Sequence, residues 1–154
     1  MKRFSLFLFF TLPIYLLGQK TNAKIAHQYA QASLDDFLEL LAIPNDAFMS
    51  ESIEKNVQWM EKAFNDRAFK TTRLETPTAP LLLAEKAKKD TKKTVLVYLQ
   101  LDGQPVDPTK WEQENPWKPV LKERNKEGGW TIISPKRLKE EIDPEWRIFA
   151  RSAS

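Results

Sequence analysis

Between Thr94 and Leu101 the chain reads TVLVYLQL, with no charged residue, and then turns polar at Asp102-Gly103-Gln104-Pro105. A continuous apolar run of this length, closed by turn formers, predicts a strand buried on both faces. A strand of that kind belongs inside a sheet with helices on its faces. In open α/β sheets the carboxyl ends of buried strands are where ligands and catalytic groups collect. Asp102 stands at such an end and is therefore a candidate functional residue.

The rest of the sequence supplies helices and further strands. Ala26, Tyr29, Ala30, Ser33, Phe37, Leu40 and Leu41 repeat on one face of a helix expected over 22–42, which Pro44 closes. A second helix is expected to begin at Ser50 or Ser52, either of which can cap it. Glu51 and Glu54 favour its positive end, and Ile53, Val57, Met60 and Phe64 line one face. Phe69–Glu75 and Leu81–Glu85 read as strands separated by Pro77 and Pro80. Trp130–Ser134 and Trp146–Ala150 read as two more. From Asp102 to Gly129 no period is evident, and a long ordered loop is expected, anchored by its tryptophans. Strands interspersed with helices give an α/β class, with a mixed sheet flanked by helices.

Lys2 and Arg3 precede an almost unbroken apolar stretch, Phe4–Leu17, followed by Gly18-Gln19-Lys20. This is the layout of a secretory signal peptide, and the stretch is shorter than the roughly 20 residues of a membrane-spanning helix. The expected division is a signal over 1–18 and one domain over 19–154, exported to a periplasmic or extracellular location without a stable membrane anchor. The whole chain has 24 basic and 21 acidic residues. Removing the signal leaves 22 against 21, so the basic pI gives no reason to expect a nucleic-acid partner. The lysines between Lys86 and Lys93 read as a solvated connection. With no cysteine, the core, or a metal, has to hold the fold.

The stretch VLVYLQLDGQPV resembles a segment of the zinc-dependent metallopeptidases that include carnosine dipeptidase, aminoacylase, acetylornithine deacetylase and succinyl-diaminopimelate desuccinylase, which reads roughly VLxxGHxDVQPV. Leu40–Asn45 is similar to that family's LxxIPS segment, and Val57–Phe64 to its second helix. Trp111 with Pro116, Trp117 and Pro119 is similar to its WxxxPFxP region. Ala150–Ser154 resembles the start of its GRGxSDDKG motif, whose aspartate would be the next residue. The resemblance implies the amino-terminal part of a zinc-peptidase-like catalytic domain, incomplete at its carboxyl end.

By the same resemblance, two zinc ions serve the complete enzyme, on peptide or N-acyl amino acid substrates, and a homodimer forms through a domain further along. Gln100 stands at the position of a ligand histidine, and Asp102 at that of its supporting carboxylate. The remaining ligands and the catalytic glutamate lie past Ser154. Glutamine offers only a neutral amide oxygen, a poorer zinc ligand than imidazole. Simpler roles stand beside these: Asp102-Gly103 as a turn, and Gln100 as a hydrogen-bonding partner of nearby loop backbone. His27 is the sole histidine and lies far from the proposed site in sequence. Glu112 and Glu114 read as solvated loop acids, Trp111 and Trp117 as loop anchors, and Arg151 as either an anion contact or a structural ion pair.

Two functions of different class follow. One is the front portion of an exported metallopeptidase, inactive as a segment alone. The other is a noncatalytic peptide- or amino-acid-binding relative that has lost its metal. A third reading is a nonfunctional gene fragment that never folds stably, whose incomplete sheet edge is sticky.

Overall fold

The computed structural model describes the backbone of residues 4–153 and the side chains of residues 22–153. The expected export signal, residues 1–18, falls on side chains outside the described residues. Among the described residues no helix is long and apolar enough to cross a membrane.

Helix α1 spans Phe4–Leu41, so it does not begin near Asn22 as the periodicity suggested. Its end is where expected. Pro44 has no N–H to donate and disfavours a helical residue before it, and the last turn closes through Ile43 N to Leu40 O at 3.1 Å. The buried stripe differs from the expected one. Leu34 and Leu38 pack on the main core, and Leu41 is buried, whereas Tyr29 and Phe37 are exposed. The spacing 34, 38, 41 is the helical face that meets the sheet. The expected stripe is rotated by about one residue, or 100°.

Helix α2 spans Ser50–Asp66. Ile53 and Val57 are buried, and Met60 and Phe64 half-buried, on the predicted face. Neither serine caps it: Met49 holds the N-cap position without a side-chain bond, and its carbonyl accepts from Ser52 and Ile53. At the other end Ala68 takes a left-handed φ of 58°. That lets Phe69 N reach Phe64 O at 3.0 Å and Ala68 N reach Asn65 O at 2.9 Å, the paired closure that usually uses glycine.

Strands β1 (Lys70–Leu74) and β2 (Leu81–Glu85) form an antiparallel hairpin in which Lys70 faces Glu85 and Leu74 faces Leu81. Both lie where the sequence places them. Arg73 on β1 reaches back to α2, donating to Glu61 at 2.6 Å and to Glu54 at 2.9 Å. That clamp ties hairpin to helix.

The second sheet is also antiparallel, with β3 (Val120–Arg124) between β4 (Trp130–Ile133) and β5 (Arg147–Phe149). Leu121 on β3, Leu138 and Trp146 form the core, against which Leu34, Leu38, Ile133 and Ile148 pack. Strands β4 and β5 match expectation, but β3 falls in the stretch expected to be loop. Its sequence, VLKER, gives no alternation because Lys122 is itself buried. Its ammonium sits 2.9 Å from Glu112 and 4.4 Å from the Phe149 ring centre.

The largest correction concerns the run that dominates the sequence. Residues 94–101 form no strand, and Val95, Leu96, Val97, Tyr98 and Leu99 are 68–85% exposed. One segment carries only half of a hydrogen-bond ladder, and among the described residues no strand lies alongside it. The expected mixed sheet is likewise absent. The chain mixes α and β elements, its two sheets are antiparallel, and the parallel pairing among the described residues is an isolated bridge between Asp46 and Gly103.

Candidate functional site

That bridge builds the site. Pro44 turns the chain off α1, and Asn56 on α2 fixes the corner by donating to Pro44 O at 2.7 Å and Ser52 O at 2.8 Å. Asn56 is 1% exposed. The next residues hold the turn after the apolar run. Gly103 N donates to Asn45 O at 2.7 Å, Ala47 N donates to Gly103 O at 2.9 Å, and Asn45 Nδ2 donates to Leu101 O at 3.0 Å. A side chain here would be tight. A Cβ at 103 would lie 3.1 Å from Asn45 Oδ1 and 3.2 Å from Arg151 Nη2.

The chain's last described turn, a 3₁₀ segment Arg151–Ala153, closes the third side. Arg151 Nη2 donates to Gln104 O at 2.8 Å, and Arg151 N to Pro116 O at 2.7 Å. Ser152 Oγ contacts Ile43 O at 3.4 Å. The result is a cleft of about 920 Å³. Phe37, Leu40, Leu41 and Phe48 form its apolar wall, and Asn45, Gln100, Asp102 and Arg151 its polar groups.

Gln100 and Asp102, the two residues singled out by sequence, both line this cleft. Asp102 is exposed and has no ion pair among the described residues. Asn45 Oδ1 is buried without a hydrogen-bond partner among the described residues, so the corner carries an acceptor whose desolvation is uncompensated. The other candidates lie elsewhere. Glu112 pairs with Lys122, Glu114 is exposed off the cleft, and His27 sits exposed on α1. Trp111 and Trp117 are half-buried and outside the cleft lining. Asn45 and Asn56 are the residues that sequence reasoning missed as site builders. The readable signal was Asn56 itself, an amide on the apolar face between Ile53 and Val57.

The cleft combines one carboxylate, neutral amides and a guanidinium beside an apolar wall. That set suits a small molecule with polar and apolar parts. By themselves these groups supply one carboxylate and neutral amide oxygens, short of the several carboxylate or imidazole ligands that a zinc pair takes. Among the described residues no three His, Cys, Asp or Glu side chains are grouped to hold a metal ion. Comparison with known protein families, with characterised proteins and with solved structures gives no match to this chain.

Proposed function

We propose that this chain is the amino-terminal portion of an exported metal-dependent peptidase that hydrolyses amide bonds of dipeptides or N-acyl amino acids. One observation carries the reading. Three of the five segments that resemble the zinc-peptidase family meet in a single cleft, Leu40 and Asn45, Gln100 to Pro105, and Arg151 with Ser152, while Val57–Phe64 and Trp111–Pro119 lie outside its lining. The meeting of these three supports the reading. In this reading the domain is zinc-peptidase-like, and polypeptide following Ser154 brings the missing ligands and the catalytic glutamate.

When bound, the zinc pair supplies a polarised carbonyl and an activated water. The part played by this segment is limited to its own groups. Asp102 orients a neighbouring ligand by accepting its hydrogen bond. Gln100 lines the cleft with a neutral amide, and Phe37, Leu40 and Leu41 offer an apolar surface to a substrate side chain.

A second reading rests on Gln100 and Arg151. A neutral amide at the ligand position, with a guanidinium in the same cleft, suits a noncatalytic relative that binds a peptide or amino acid without metal. The test is metal content and dipeptide hydrolysis of the protein expressed from the uninterrupted gene, with Gln100 and Gln100→His side by side. Two zinc ions and turnover in the native form support the peptidase. Metal and activity gained only in the variant support the binding protein. Neither property in either form sinks the peptidase reading.

A further inference from the structure

The run Val95–Leu99 presents five large apolar side chains to solvent in sequence, far more than the scattered exposed hydrophobics of an ordinary surface. We infer that in the 154-residue chain this segment pairs antiparallel with the same segment of a second copy. This inference does not rest on the peptidase reading, and its test involves neither metal nor catalysis.

The backbone already chooses the edge. Leu101 and Gly103 direct their groups to the Asn45 corner. In a strand, alternate residues hydrogen-bond to opposite edges, so with the run extended the even-numbered residues from Thr94 to Asp102 would face away from that corner, toward the incoming copy. Antiparallel pairing about a two-fold axis places one residue opposite itself. With Val97 on the axis, Leu96 meets Tyr98, Val95 meets Leu99, Thr94 meets Gln100 and Lys92 meets Asp102. Apolar faces apolar from 95 to 99, amide faces hydroxyl, and Lys92 with Asp102 closes each end with opposite charges, while Lys93 lies opposite Leu101 and can cover it with its aliphatic stem.

The neighbouring symmetric registers lack this match. With Tyr98 on the axis, Val97 faces Leu99 and Val95 faces Leu101, but Leu96 faces Gln100 and Asp102 faces Thr94 with no cation opposite it. With Leu96 on the axis, Asp102 faces Asp90, where a left-handed φ of 63° already ends the run, and like charges across a ladder repel. Of these three registers only the one centred on Val97 brings Lys92 opposite Asp102, and that charge complementarity at both ends favours a second copy in this register.

In this register residue 97 is a non-hydrogen-bonded pair with Cα atoms roughly 4.5 Å apart, close enough for a disulfide. The chain has no cysteine, so each introduced thiol is unique, and these exposed positions lie outside the core. Under mild oxidation the full chain carrying Val97→Cys should form a cross-linked dimer about tenfold faster than Val95→Cys, because only the former faces its own copy at high effective concentration. Sedimentation should show a concentration-dependent dimer. Lys92→Asp should weaken it roughly two- to thirtyfold through its two exposed ion pairs, and adding Asp102→Lys should restore it. A chain that stays monomeric overturns the inference, as do equal cross-linking at 95 and 97, faster cross-linking at Tyr98→Cys, or no rescue by the double reversal. So does a run that is covered only by added polypeptide or by an unrelated partner strand.

Discussion

Replacing Asn56 by alanine should loosen the corner on which the cleft is built. The Asn56 amide is 1% exposed and gives bonds of 2.7 and 2.8 Å to the Pro44 and Ser52 carbonyls. The Ser52 carbonyl also belongs to the helical ladder, so losing the second bond costs only about 1 kcal/mol. Pro44 O has no such substitute, and a half-buried carbonyl left without its donor costs about 1–2 kcal/mol more. The expected loss is about 2–3 kcal/mol in all, a large part of a small domain's stability. In urea unfolding it appears as a midpoint lowered by about 1–2 M at an unchanged slope. Asn56→Asp should be worse than alanine at neutral pH, since an ionised carboxylate accepts but cannot donate to two carbonyls. Burial without a donor raises that carboxyl's pKa in the folded state, so the variant regains stability as pH falls and it protonates. A shift for Asn56→Ala of less than about 0.5 kcal/mol, the range of plain surface changes, would refute the role of this amide.

Leu121→Ala empties the centre of the three-stranded sheet, where Leu121 is 1% exposed, and should cost about 2–5 kcal/mol in denaturant unfolding; a loss under about 1 kcal/mol would place the core elsewhere. Ala68→Gly should stabilise by about 0.5–1 kcal/mol by relieving the left-handed φ of 58°, read as a higher thermal midpoint, and a lower midpoint contradicts the strain. The Glu61 carboxyl is held below its usual value by the hydrogen bond from Arg73, and Glu54 by those from Gln58 and then Arg73. Depressed folded values mean that this stabilisation is present above the ordinary glutamate value of 4.5 and is lost as pH falls through the folded ones. The gap in urea midpoint between the native chain and Arg73→Gln should therefore narrow from pH 7 to pH 3, and a constant gap excludes the clamp.

Local signals were legible and pairing was not. Pro44, the α2 stripe, and strands β1, β2, β4 and β5 follow from residue type and spacing, because each is decided within a few residues. Strand β3 hid because a buried lysine broke its pattern, and its compensation comes from Glu112 and Phe149, distant in sequence. The run at 94–101 shows the opposite failure: its composition records an affinity for burial, while pairing depends on a partner that composition cannot name. For the cleft, Gln100, Asp102 and Arg151 were visible as chemistry. Asn45 and Asn56 were not, because their importance lies in which backbone they touch.

The packing of α1 sets an order of events for folding. Leu34 and Leu38 rest on Leu121, Leu138 and Trp146, and Gln31 Nε2 donates to Lys139 O at 3.0 Å across 108 residues of sequence. At a synthesis rate of about 5–20 residues per second, the helix emerges roughly 5–20 s before the residues it packs against. Through that interval its apolar stripe has no native cover, and closing so long a loop makes the final docking slow. A chaperone that shields residues 31–41 until synthesis reaches β5 would therefore act on the most vulnerable period in the life of this chain.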